Sequence, residues 1–474
     1  MRHEHIDFYF LVTMLTITVK SQDIFSGKAL ALLCSLKRTT ESFYSLKTLA
    51  IILRDCTNDE LSDMPGALKH AREFVAFVKQ LKPQVNSVQI EYEGEAEDQD
   101  TLSCRAFQQL LGGLYSDSES RHLTLVNSGL LLPATSSASL GLTKIDTIWD
   151  TCFDEAIEII CLHAATLTEL SVACAQPTKI AKLLESIPGS SECLVYPNMR
   201  KLSLSSGNIS RYVCKPFHHD YVPFPQLQSL SLDMVYPFSD DVLFRGNVTT
   251  LKYLYIASEP ATIYTLNNSK TFDGKRFTNL RHVKVCAVYT NSSTDAATAE
   301  LVIDFIIKIA GNAQTLEIEG RVSKELLISA LSIPEHCNGL RLLSTNDLCL
   351  DFAEVVAVIR ALPVISDLFC QLLGLGDQLK CLSREQLVEY AESKCGDVGR
   401  NFKCWNLWHN HNTVVEVAAL SAMLLAIICP KSTYNVVTSS MRAVYNDNVQ
   451  KALDTQPFSE HRESLERLLF TGWD

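Results

Sequence analysis

Three clusters in this 474-residue chain hold residue types that could do chemistry. Ser26-Gly27-Lys28 has the ending of a phosphate-binding loop, in which glycine lets backbone amides approach phosphate and lysine meets its charge. Gln22 stands where the loop's first glycine belongs, and Ala29 replaces the hydroxyl that would hold magnesium. Cys404, His409 and His411 offer thiolate and imidazole donors, but no second pair completes a four-ligand shell, and the adjacent Trp405 and Trp408 suit a packed aromatic rim. His218-His219-Asp220 lies between Pro216 and Pro223 and reads as a surface loop. None of the 16 cysteines forms a CxxC pair, and no G-x-S-x-G elbow presents a serine nucleophile. No catalytic, cofactor or metal site is expected from these residues.

What remains is recognition, and the residues for it come from a repeat. A unit of the form apolar-x-x-Leu-x-Leu recurs as LTKIDT from Leu142, LTELSV from Leu167, MRKLSL from Met199 and LQSLSL from Leu227. It continues as LKYLYI from Leu251, LRHVKV from Leu280, AQTLEI from Ala313 and LRLLST from Leu340. Copies upstream begin at Val12, Leu46, Val85 and His122; a degenerate one begins at Val364 and the last clear one at Phe402. Successive starts from Leu142 lie 24 to 33 residues apart, which brackets the leucine-rich repeat and overshoots it slightly. Strand side chains alternate, so the residues flanking the second leucine face away from the core. Those before it are Glu169, Lys201, Ser229, Tyr253, His282 and Thr315; those after it are Ser171, Ser203, Ser231, Tyr255, Lys284 and Glu317. Tyr253, Tyr255, His282 and Lys284 fall together, and aromatic rings beside a base have the composition of a binding centre. They are the candidate partner-binding residues; a cross-strand cluster that merely covers the sheet is the alternative.

The elements that must position these residues are strands alternating with amphipathic helices. Helical spacing of apolar residues occurs over residues 67–82, from Phe153 to Ile160, from Ile180 to Ile187, from Leu301 to Ile309 with Asp295 as N-cap, and from Val355 to Leu362. Ser383 with Gln386, and Thr413 with Glu416, are capping-box spacings ahead of two more helices. The fold class expected is α/β: a leucine-rich-repeat-like solenoid over residues 1–380, with a parallel sheet on its concave face and helices on its convex face. Residues 381–474 are expected to hold the last repeat strand and a helical C-terminal cap, including stretches near 441–453 and 460–470.

The formal charge of −12 argues against nucleic acid and anionic membrane as partners. Phe8–Val19 and Val414–Cys429 are apolar but shorter than the ~20 residues a spanning helix needs. Cysteines scattered through apolar runs fit a reducing, intracellular compartment, cytoplasmic or nuclear. The acidic run Glu91–Asp100 is expected to be a solvated loop, with an electrostatic docking loop as the sharper alternative.

Five phrases carry a resemblance: IFSGKALALL from Ile24, YPFSDDVLFRGNVTTLKYLYI from Tyr236, FKCWNLWHN from Phe402, AMLLAIICPKSTYNV from Ala422 and LERLLF from Leu465. With them the chain resembles a large paralogous family of uncharacterised fungal proteins with F-box-like and leucine-rich-repeat-like organisation. The resemblance implies an F-box-like segment before the first strand, yet a strand is expected by about Leu15, which leaves no room for one of ~40 residues. The function expected is non-catalytic protein recognition, as the substrate-recruiting part of an F-box-type ubiquitin-ligase adaptor. Lys284 and His282 would select an acidic partner segment. The alternatives are a hydrolase or transferase on an irregular α/β fold, and a truncated paralogue without a partner.

Overall fold

The computed structural model describes residues 14–20, 28–37, 48–54, 66–81, 87–93, 120–126, 141–148, 153–174, 193–206, 217–234, 241–268, 277–287, 296–333, 336–373, 381–394, 404–409 and 433–435, less a few single positions, with isolated residues between them. The chain divides into two compact units, Met1–Asn247 and Val248–Asp474.

Among the described residues the first unit carries eight strands: β1 (Met14–Lys20), β2 (Thr48–Arg54), β3 (Ser87–Glu93), β4 (Ser120–Val126), β5 (Lys144–Ile148), β6 (Glu169–Ala173), β7 (Lys201–Ser205) and β8 (Ser229–Asp233). Each pairs with the next, in parallel and in sequence order. Parallel neighbours need a crossover between them. Helices α1 (Lys28–Lys37), α2 (Ala67–Leu81) and α3 (Phe153–Leu162) lie in these crossovers. Helix α2 buries Ala71, Phe74 and Val75, an i, i+3, i+4 stripe, and exposes Arg72 and Glu73.

The second unit carries β9 (Tyr253–Ser258), β10 (His282–Ala287), β11 (Thr315–Gly320), β12 (Leu342–Leu350), β13 (Asp367–Leu372), β14 (Cys404–His409) and β15 (Thr433–Asn435). These too pair in parallel and in order. Its helices are α4 (Pro260–Asn267), α5 (Ala296–Ala310), α6 (Lys324–Leu331), α7 (Phe352–Ala361) and α8 (Arg384–Lys394). The protein is thus an α/β fold with open parallel sheet, and no antiparallel pairing occurs among the described residues.

The repeat explains the core. In the units from Leu167 to Ile318 the second and third apolar positions are buried, as in Leu170/Val172, Leu202/Leu204, Leu230/Leu232, Leu254/Ile256, Val283/Val285 and Leu316/Ile318. The first apolar positions, Leu142, Leu167, Met199, Leu227, Leu251, Leu280, Ala313 and Leu340, are all wholly buried. A fourth buried column lies three residues earlier: Tyr196, Phe224, Phe277, Ala310 and Cys337. There the carbonyl accepts from the amide of the first apolar residue, as in Leu340 N to Cys337 O at 2.9 Å and Ala313 N to Ala310 O at 2.9 Å. The turn so formed is what sets the chain into each strand.

Helix starts follow the sequence signals. Asp351 and Glu354 form a reciprocal capping box at α7, and Ser383 with Gln386 another at α8. Lys324 on α6 reaches Glu354 at 2.8 Å and ties the two helix N-termini together. The stretch expected as a helix from Ile180 departs from that reading: Ile180 is helical, but residues 182–184 form a turn whose Leu183 and Leu184 are buried. β15 extends the sheet one strand beyond the last repeat read from the sequence. Within Val414–Cys429, Leu424, Ile427 and Ile428 are helical and buried. Asp295, His411, residues 94–100 and the helices expected near 441–453 and 460–470 lie outside the described residues. Among those described, no helix is long and apolar enough to cross a membrane.

Candidate functional site

Strands β9, β10 and β11 align without a slip, so that Tyr253, His282 and Thr315 form one outward row and Tyr255, Lys284 and Glu317 the next. All six are half-buried while the residues between them are buried, the alternation that the repeat dictates. The four candidate residues therefore share one face. The Tyr253 and His282 rings stack with centroids 4.8 Å apart, and Lys284 Nζ stands 5.6 Å from the centre of the Tyr255 ring.

The positive charge expected of this patch is already matched. His282 Nε2 lies 3.1 Å from Glu317, while Lys284 Nζ lies 3.7 Å from Glu317 and 2.6 Å from Glu319. The Glu319 hydrogen bond is the largest cause holding the lysine's pKa above its ordinary value. Burial, then the charge of Glu317, raises the Tyr253 phenol. Both carboxylates follow from strand alternation, since Glu317 and Glu319 are the next two outward positions of β11. Sequence reasoning placed Glu317 on the face without pairing it, and missed Glu319 two residues on.

A row of exposed side chains stands one residue earlier. Lys252, Arg281, Gln314 and Arg341 precede the first outward residue of β9, β10, β11 and β12, and all four are exposed. Their backbones are laddered: Arg281 N donates to Lys252 O at 2.9 Å, Gln314 N to Arg281 O at 2.7 Å and Arg341 N to Gln314 O at 2.8 Å. On β4 to β8 of the first unit the equivalent positions are Arg121, Thr143, Thr168, Arg200 and Gln228, with two cations that do not fall on neighbouring strands.

The outward face of the first unit is instead an alternating charge ladder. His122 and Lys144 approach Asp146 at 2.6 and 3.4 Å, and Lys144 and Lys201 approach Glu169 at 3.9 and 3.0 Å. Burial works to raise the Asp146 pKa, but the His122 hydrogen bond and charge and then Lys144 outweigh it, and the carboxyl sits below its ordinary range. Thr124 Oγ1 also lies 3.1 Å from His122, but the three residues do not make a catalytic triad, because both contacts fall on the same nitrogen, Nε2. Ser171, Ser203 and Ser231 follow in the next column and present hydroxyls only.

The remaining chemical candidates are explained by local structure. Gly27 has φ of +80° in the turn before α1, against the His70 ring, so its role is conformational. His218, His219 and Asp220 bring their donor atoms within 4.8 Å of one another, and all three are exposed. His219 Nε2 lies 3.1 Å from Asp220 and His218 Nδ1 3.7 Å, which is an acid–base contact rather than a closed tetrahedral shell. The loop is fastened by Arg245, which donates to His218 O at 2.7 Å and is held by Asp241 at 3.0 Å. The side chains of Cys404 and His409 lie outside the described part of the chain. Burial pushes the thiols of Cys161 up to about 11 and of Cys337 up to about 12, away from the thiolate a nucleophile requires. A groove of about 370 Å³ along α7 is lined by Ala353, Val356, Ala357, Arg360 and Tyr390, without a carboxylate, histidine or cysteine in its lining. No family model matches the chain, and no curated protein matches it.

Proposed function

We propose that this protein is a non-catalytic recognition module, built as a leucine-rich-repeat-like solenoid closed by a helical C-terminal segment, with the outward face of β9–β11 as its partner-binding surface. One observation carries the reading: Tyr253 stacked on His282 beside Tyr255 under Lys284, four half-buried side chains on one face of consecutive strands. Tyrosine offers a large, stiff contact area with a polar tip, which suits it to interface centres. Recruitment of a protein substrate inside the cell, as half of an F-box-type adaptor, is the role proposed for that surface. The test is affinity capture with the full chain and with the Tyr253→Ala/Tyr255→Ala variant. Capture should weaken more than about tenfold, or ~1.4 kcal/mol, while the melting curve is nearly unchanged. Capture of the same partner by both proteins would refute the assignment.

A further inference from the structure

The binding face has an edge as well as a surface. Every strand in β9–β12 is entered through an exposed residue, in the order Lys252, Arg281, Gln314, Arg341. Parallel strands lie ~4.8 Å apart, so this laddered row runs ~14 Å along the sheet. Lys284 and His282 are occupied by Glu317 and Glu319, whereas Arg281 and Arg341 make no ion pair among the described residues. The row lies directly beside the stacked pair, since Lys252 precedes Tyr253 and Arg281 precedes His282.

We infer that this entry edge docks an acidic peptide segment of the protein partner, an inference that rests on the recognition reading above. Arginine side chains in register offer planar forks to successive carboxylates along an extended chain. Consecutive residues of such a chain advance about 3.3 Å, so acidic side chains two positions apart fall about 7 Å apart, between the ~4.8 Å from Lys252 to Arg281 and the ~9.6 Å from Arg281 to Arg341, differences that the long side chains of the row can span. The segment has a defined side. Its carboxylates belong over Lys252, Arg281 and Arg341, because Glu317 and Glu319 further along the face would repel them. The sign of the selected partner is thus acidic, as expected from the sequence, but the residues that select it are different: the row before the strands, not Lys284 and His282. On a chain of charge −12, a local cationic edge gives an acidic partner a place of approach.

The experiment uses the full chain and a random dodecapeptide display library. Peptides are selected on the wild-type chain after depletion on the Arg281→Glu/Arg341→Glu variant, with Arg281→Gln/Arg341→Gln as the milder substitution should reversal disturb folding. Recovered peptides should be enriched in Asp and Glu. By fluorescence anisotropy their affinity should fall at least about tenfold in either arginine variant, and should fall as salt rises from about 50 to about 300 mM. They should also weaken in the Tyr253→Ala/Tyr255→Ala variant. Peptides of neutral or basic composition overturn the inference. Peptides that need the tyrosines but not the arginines overturn it while the recognition face stands. Binding that needs neither pair, or no recovery at all, removes both. Tighter arginine-dependent binding of a 30-nucleotide single-stranded DNA would replace the acidic peptide with nucleic acid and equally overturn it.

Discussion

Lys284 on β10 bonds diagonally to Glu319, at 2.6 Å, although Glu317 stands directly opposite it in the register and lies 3.7 Å away. The diagonal contact leaves Glu317 shared between Lys284 and His282, and so joins three strands' worth of side chains into one cluster with the tyrosines. About a quarter of the Lys284 side chain remains exposed, so solvent screens the pair. A Lys284→Met/Glu319→Gln double-mutant cycle should give a coupling of ~0.2–1 kcal/mol, smaller in high salt. The lysine's pKa is raised in the folded chain, so the stability it contributes is present below 10.5 and is lost as pH rises through the folded value. The alkaline limb of a stability–pH profile should therefore be shallower in Glu319→Gln. A limb of unchanged slope would show that the pair is not formed in solution.

Asp146 gives the opposite sign. Its folded pKa lies below the ordinary 3.8, so its contribution is present above that pH and disappears as pH falls through the depressed value. Asp146→Asn should lower stability by a constant amount near neutral pH, and that difference should shrink at pH below about 3.8. Denaturant titrations from neutral to acid would show this. A difference that grows on acidification would mean that burial, not the bonds from His122 and Lys144, governs this carboxyl.

The three-position repeat, the parallel order of the strands and the outward placing of Tyr253, Tyr255, His282 and Lys284 were legible in the sequence, because a period-two pattern directly encodes which face a residue takes. Other features were hidden by their distance from that pattern. The column of Tyr196, Phe224 and Phe277 precedes each strand, in a turn rather than a strand, and its later members are Ala310 and Cys337, so no single residue type marks it. Arg281 and Arg341 sit at the boundary where alternation begins, and only the backbone ladder brings them into one row. Glu319 was lost because the diagonal partner of Lys284 depends on side-chain length, which the register does not express. Residues 182–184 form a turn where apolar spacing alone suggested helix; Ile180, Leu183 and Leu184 are buried, and burial spacing over so few residues does not distinguish a turn from a helix.

The hidden column and the legible one should matter equally. Leu230 and Phe277 are both wholly buried. Leu230→Ala should cost ~2–5 kcal/mol and Phe277→Ala ~3–5 kcal/mol, through lost transfer energy and the cavity left behind. Ser231→Ala, on the half-exposed face next to Leu230, should stay within ~0.5 kcal/mol of wild type. Chemical denaturation of the three variants measures this. A Phe277→Ala cost as small as that of Ser231→Ala would mean that the turn before β10 does not contribute to the core.

Two glycines at helix and strand ends should respond to the same substitution in opposite directions. Gly320 ends β11 with φ of +89°, and a Cβ there would overlap the carbonyl oxygen of Ala287, its partner on β10. Left-handed backbone costs an L-residue ~1–2 kcal/mol before any clash is counted, and the obstructing atom is backbone, which cannot swing aside. Gly320→Ala should therefore destabilise by at least ~1–2 kcal/mol. Because Glu319 is the neighbouring residue, it should also disturb the bond to Lys284 and weaken partner capture. Gly311, which follows α5, has only ordinary contact for an added Cβ, its nearest neighbour being Ile307 O at 3.8 Å. There Gly311→Ala removes unfolded-chain freedom without strain and should stabilise by ~0.4–1 kcal/mol. Equal and small effects at both sites would place the end of β11 away from β10, and with it the Glu319 carboxylate on which the Lys284 pairing depends.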